Sequence, residues 1–215
     1  FIASILRSLP RTLTRPLMRV FVVSDVHSDL PANMAWVRSL PPAQYPEDVL
    51  ICAGDIADNL QVIEDTLSHF KSCFAEVFYT TGNHELWVNK TDKDGGIMTS
   101  LAKLQAIQDL CTRLGIHTTP RLVGADTEGG RGVWIVPMWS WYHASWDSEP
   151  DLTDYDIPAP QTMMADFRKC VWADELDPQT ESVARHFDSL NDLGTEWMTS
   201  PCSVGTISPT TPGTA

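Results

Sequence analysis

The feature that most constrains this chain occurs three times: a short, continuous run of β-branched and apolar residues that stops abruptly at a polar residue able to bind metal. Residues 20–23 run into Ser24 and Asp25, residues 49–53 into Gly54 and Asp55, and residues 77–81 into Gly82 and Asn83. Continuous hydrophobicity, as opposed to alternation, predicts strands buried on both faces. Helical periodicity fills the intervals. Leu30, Met34 and Val37 predict a helix with Asp29 as N-cap and Pro31 in its first turn. Leu60, Ile63, Leu67, Phe70 and Phe74 predict an amphipathic helix starting beside Asp58, and Leu101, Leu104, Ile107, Cys111 and Leu114 a third, closed by Gly115 in the C′ position. Three such alternations imply an α/β fold with a parallel sheet, whose ligands sit at the carboxyl ends of the strands. All three polar exits fall on that edge.

The rest of the chain is less regular. Residues 121–124 and 133–137 read as strands around a turn at Gly129 and Gly130, and an acidic, proline-broken loop covers 147–160. A later helix is expected with Asp177 as N-cap, Pro178 at N1, and Val183, Phe187 and Leu190 on one face. A length of 215 residues suits one domain, here assigned to residues 19–200. Residues 1–18 form a basic leader, disordered or the remnant of a targeting segment, and opening on Phe1 implies a longer original chain. Residues 201–215, without charge or aromatics, predict a disordered tail.

Composition narrows the function classes. The net charge is −13 although residues 1–19 hold Arg7, Arg11, Arg15 and Arg19 and no acid, so the remainder is strongly acidic. Such a surface repels nucleic-acid backbone and attracts divalent cations. Bulk nucleic-acid binding is therefore not expected. No apolar run reaches the roughly 18 residues needed for a membrane span. The five cysteines are unpaired in pattern, with no CxxC, which predicts a reducing intracellular compartment, the cytoplasm or an organelle.

The chemistry lies in the exits. Asp25 and His27, two residues apart in VFVVSDVHSD, place a carboxylate and an imidazole on one side of a loop. ICAGDIADN supplies Asp55 after a turn-permitting glycine, with Asp58 three residues on, and YTTGNHELW supplies the carbonyl of Asn83 beside the imidazole of His84. Together, D-x-H, G-D-x-x-D and G-N-H-E, each behind a buried strand, resemble the calcineurin-like metallophosphoesterase family over about residues 19–90.

That resemblance implies a layered β-sandwich flanked by helices and a pair of divalent ions, Mn, Fe or Zn. Asp25 and His27 would hold the first ion, Asp55 would bridge, and Asn83 would hold the second. His84 would contact the scissile phosphate and protonate the leaving oxygen, with Asp58 orienting it. The substrate would be a small phosphorylated molecule, a phosphomonoester or phosphodiester, attacked by a hydroxide that the two metals activate. Asn59, where the protein-phosphatase branch carries Arg, argues against a Ser/Thr protein phosphatase. The family's later lone His and its Gly-His-x-His do not occur; His117, His143 and His186 stand in other contexts. The expectation is a sandwich truncated before its second half, with weak metal binding and poor hydrolysis. The competing function is a non-catalytic scaffold on the same fold, similar to a retromer subunit. Trp134, Trp139, Trp141 and Trp146 crowd residues 133–147, either to line a substrate pocket or to pack the core.

Overall fold

The computed structural model describes residues 18–125, 132–150, 155 and 157–191. The expected tail, most of the leader and part of the acidic loop lie outside them.

Three strands, β1 (Val20–Val23), β2 (Tyr45–Ala53) and β3 (Phe74–Thr80), form a parallel sheet in the order β1-β2-β3. Val23 lies beside Cys52, and Cys52 beside Tyr79, so the strands end level with one another. The three polar exits therefore emerge together. A second, antiparallel sheet pairs β4 (Arg121–Val123) with β5 (Val133–Ile135).

Strand alternation sorts the core into two layers. Leu50, Cys52, Val77 and Tyr79 face α1 (Pro31–Ser39), α2 (Leu60–Cys73) and α4 (Ser100–Leu114), packing with Val37, Ile63, Leu67, Phe70, Ile107 and Cys111. Val49 and Phe78 face the other way and meet Val123 and Ile135 of the second sheet, with Met18 against them. This is the expected layered sandwich. Each fully buried Leu or Phe here contributes about 1.5–3 kcal/mol.

β1 departs from its expected burial on both faces. Phe21 and Val23 pack against the helices, but Val20 is 41% exposed and Val22 69%. The second sheet's contacts run to β2 and β3, and among the described residues β1 gains no cover from it.

Helix starts also differ from their expected caps. α1 begins on Leu30, with no side-chain cap and Pro31 at N1, in place of Asp29. Asn59 caps α2, accepting from the main-chain N–H groups of Gln61 and Val62, and the helix yields to β3 at Phe74. The α4 stop is as expected, with Gly115 left-handed at φ 67°. Short helices α3 (Lys90–Asp94), α5 (Pro160–Met163) and α6 (Asp166–Lys169) follow the site loops, and α7 (Ser182–Leu190) closes the described chain. Asp177 accepts from Gln179 in a local turn and the N-cap of α7 is Glu181, because the Pro178 turn ends before the helix begins. α7 and α4 share a third cluster, in which Leu104, Val183 and Phe187 surround Trp139, with Trp141 and Trp172 packed against it.

Among the described residues no helix is long and apolar enough to cross a membrane. The thiols of Cys52, Cys73, Cys111 and Cys170 are free.

The start of the sheet is fixed by Arg19, whose guanidinium and main-chain N–H both donate to Asp48. The side-chain hydrogen bond holds the Asp48 carboxyl below its ordinary value, so its contribution to stability is full above the ordinary carboxylate range and is lost as the pH falls through the depressed value. Arg19 is well exposed, and solvent screening keeps the pair's contribution small. Urea unfolding should find Asp48→Asn less stable than the parent at pH 7, with the gap narrowing as the pH falls below the ordinary carboxylate range.

Candidate metal centre

The backbone at the strand exits is unusual. Asp25, His27 and Asp55 are left-handed at φ 53°, 42° and 54°, a conformation costing about 1 kcal/mol or more for each non-glycine residue. Main-chain hydrogen bonds hold it: the N–H of Asp25 donates to Gly54, that of His27 to Asp55 and that of Ser28 to Ile56, at 3.2, 2.9 and 2.8 Å. The β1 exit is thus laced to the β2 exit.

The β2 and β3 exits meet more closely still. A Cβ on Gly54 would lie 2.3 Å from the main-chain nitrogen of Gly82, and a Cβ on Gly82 would lie 2.2 Å from Oδ1 of Asp55. Only glycine fits at either position. Glu85 then ties the two loops together. Its carboxylate, fully buried, accepts from the main-chain N–H groups of Asp55 (3.1 Å), Ile56 (2.6 Å) and Gly82 (2.9 Å). Burial pushes the Glu85 carboxyl up, and the N–H groups oppose that shift by favouring its charged form.

Lys103 braces the other side. Wholly buried on α4, it donates to the carbonyls of Asp58 and Trp87 and pairs with Asp92 at 2.7 Å. Asn89 also donates to the Asp58 carbonyl, at 2.8 Å.

On this frame His27, Asp55 and His84 converge, each offering a ligand atom within 4.8 Å of the others. All three are half-buried. Two imidazoles and a carboxylate are a donor set that suits Zn²⁺, Fe or Mn²⁺, so the residues present fit a divalent ion. The carboxylate of Asp55 also accepts from the main-chain N–H of His84 at 3.2 Å, which fixes where that residue starts. The His84 ring rests against Trp87, with centroids 3.7 Å apart.

Asn83 is oriented by a residue the sequence reading missed. Its Nδ2 donates to Oδ1 of Asp166 at 2.8 Å, and the same oxygen accepts from the indole N–H of Trp87 at 2.6 Å. With the amide nitrogen committed, the carbonyl oxygen of Asn83 is the atom left to act as a ligand. Asp166 is buried and lies 83 positions along the chain. No local pattern could have announced it.

The remaining expected site residues are placed as follows. Asp25 stands at the β1 exit, exposed, outside the three-residue set. Asp58 takes part through its carbonyl, and among the described residues no hydrogen bond joins its carboxylate to His84. His143 bonds Ser145 and faces Glu181, His117 bonds Glu76 at 2.7 Å, and His186 lies on α7, so none joins the centre. Of the tryptophans singled out, Trp139 is core, whereas Trp141 and Trp146 line a cavity beside Asn83.

Removing the carboxylate that fixes Asn83 should weaken metal binding more than folding. Asp166→Asn is expected to lower Mn²⁺ affinity by about tenfold in calorimetric titration, the usual size of an outer-shell loss. The variant should keep the parent's far-UV circular dichroism. Unchanged affinity would remove Asp166 from the centre.

Comparisons with known proteins place the family and the fold. The model of the calcineurin-like phosphoesterase family matches residues 18–158. The acyl-carrier-protein phosphodiesterase PptH of Mycobacterium tuberculosis is 32% identical over 126 residues, covering 59% of this chain and 38% of that protein. A crystal structure of the phosphopantetheinyl hydrolase PptH from the same organism superposes with a TM-score of 0.58 at 23% identity, covering 81% of this chain and 62% of that one. The chain thus spans well under half the length of the curated relative and under two-thirds of the solved one. The family match begins ahead of β1 and continues past the second sheet, taking in every strand exit that builds the centre, and on that extent the chain belongs to the calcineurin-like phosphoesterase family.

Proposed function

We propose that this chain is a metal-dependent hydrolase of phosphate esters, with phosphodiesters as its substrates. The observation that carries the reading is the convergence of His27, Asp55 and His84 at the exits of neighbouring parallel strands, in a chain of phosphoesterase ancestry. The diester preference is supported by the curated relative, which is named a phosphodiesterase.

In this reading His27 and Asp55, with Asp25 beside them, would hold one divalent ion, and Asp55 and the Asn83 carbonyl would hold a second. When bound, the pair supplies Lewis acidity toward the phosphoryl oxygens and lowers the pKa of water toward neutrality. Everything else is done by the chain. Glu85 keeps the β2 and β3 exits at fixed separation, so that Asp55 is shared without loop movement on binding. Asp166 keeps the Asn83 oxygen turned outward from its own hydrogen bond. His84, its main chain tied to Asp55 and its ring set against Trp87, donates the proton that the departing alkoxide needs. Asp58, whose carbonyl is held by Lys103 and Asn89, is assigned the orienting role beside it.

Two measurements test this. Hydrolysis of bis-p-nitrophenyl phosphate should vanish on chelation and return with Mn²⁺, and Asp55→Ala should lose both metal and turnover. His84→Ala should cost about 10²–10³-fold in kcat with an alkyl leaving group, which requires protonation, and far less with p-nitrophenoxide, which does not. Equal losses on both substrates would leave His84 as a ligand only. No turnover with any divalent metal would favour the scaffold alternative.

A further inference from the structure

Beside Asn83 the fold opens a cavity of about 470 Å³. One wall is the metal edge itself, from Ala53 and residues 80–82 to Asn83. The opposite wall is aromatic, made by Trp141, Tyr142, Trp146, Phe167 and Trp172.

Core packing accounts for part of that wall. Trp141 lies against Phe187 with rings stacked 5.6 Å apart, and meets Trp172 edge-on at 5.0 Å. It does not account for the mouth, where Met138, Tyr142 and Trp146 are 62%, 39% and 61% exposed. Large side chains left open around a concave site cost solubility unless something binds there.

The charge of the lining narrows what that is. Among the described residues that form it there is no Lys, Arg or His. Its acidic member, Asp166, already accepts from Asn83 and Trp87 and would repel an anion. A second phosphate or a carboxylate would therefore find no counter-charge, whereas an uncharged ring or chain would find stacking faces.

Building on the proposed phosphodiesterase reading, we infer that this cavity binds the uncharged apolar or aromatic arm of a phosphodiester whose phosphate sits at the Asn83 and His84 edge. The cavity therefore selects diesters with such an arm over small alkyl diesters and over nucleoside polyphosphates. Asn83 belongs to both the metal edge and the cavity lining, so an arm in the cavity leaves its phosphate beside the metal ligands.

The test uses the 215-residue chain loaded with Mn²⁺ and two substrates with the same methanol leaving group, benzyl methyl phosphate, which carries a phenyl arm, and dimethyl phosphate. The parent should favour the phenyl substrate by about tenfold in kcat/KM, and Trp146→Ala should reduce that ratio to about twofold. Trp36→Ala, an exposed tryptophan outside the cavity, should leave the ratio unchanged. A second readout needs no turnover: phenyl methylphosphonate should quench tryptophan fluorescence at about tenfold lower concentration than dimethyl phosphate, and Trp146→Ala should remove the difference.

Failure of hydrolysis together with preferential phenyl binding would overturn the phosphodiesterase reading while leaving the cavity assignment standing. Equal rates and equal binding for the two arms, or a ratio indifferent to Trp146→Ala, would overturn the cavity assignment whatever the activity.

Discussion

The site depends on one buried carboxylate. Glu85 accepts three main-chain N–H groups from two different strand exits, and no other group in the described structure ties the β2 loop to the β3 loop in that way. Without it the close approach of Gly54 and Gly82 would rest on the Asp55–His84 hydrogen bond and the Lys103 and Asn89 braces alone, against the strain of the left-handed Asp55. A buried carboxylate is costly, and the cost is offset only because every N–H it receives is itself a donor that would otherwise be orphaned. The geometry of the candidate site and the stability of its loops are thus carried by the same hydrogen bonds.

Around this staple the fold places buried polar groups in pairs of opposite duty. Lys103 gathers carbonyl oxygens, those of Asp58 and Trp87, where Glu85 gathers N–H groups. Asp92 balances its charge. Asp166 does for a side-chain amide what the other two do for the main chain. The ligand residues need few partners of their own, because the loops that bear them are fixed from behind.

Much of this was legible in the sequence, and the reasons are physical. Continuous apolar runs are the mark of sheet strands with neighbours on both sides, and the abrupt polar exits told where a ligand could be held. That is why His27, Asp55 and His84, which the structure brings together, could be named before any contact was known, with Asp25 and Asn83 at the same exits but outside that set. Glu85 was visible within G-N-H-E without its role being readable, since a Glu beside a metal-binding His suggests a ligand before a staple. Lys103 left a trace: it sits next to Leu104 on the apolar stripe of α4, where a lysine is out of place unless it is paired. Asp166 left none, because long-range pairing has no local periodicity. The exposure of Val20 and Val22 was equally hidden, as a run of valines looks the same whether one face is covered or two.

The central claim is that the three strand exits form a single preorganised grip for divalent ions. Anomalous scattering from crystals grown with Mn²⁺ tests it most directly. The account predicts one peak within about 2.0–2.3 Å of His27 and Asp55 and a second about 3.5–4 Å away that shares Asp55 and takes the Asn83 oxygen. Saturating manganese with no peak at Asp55, or peaks only on the acidic surface, would contradict it.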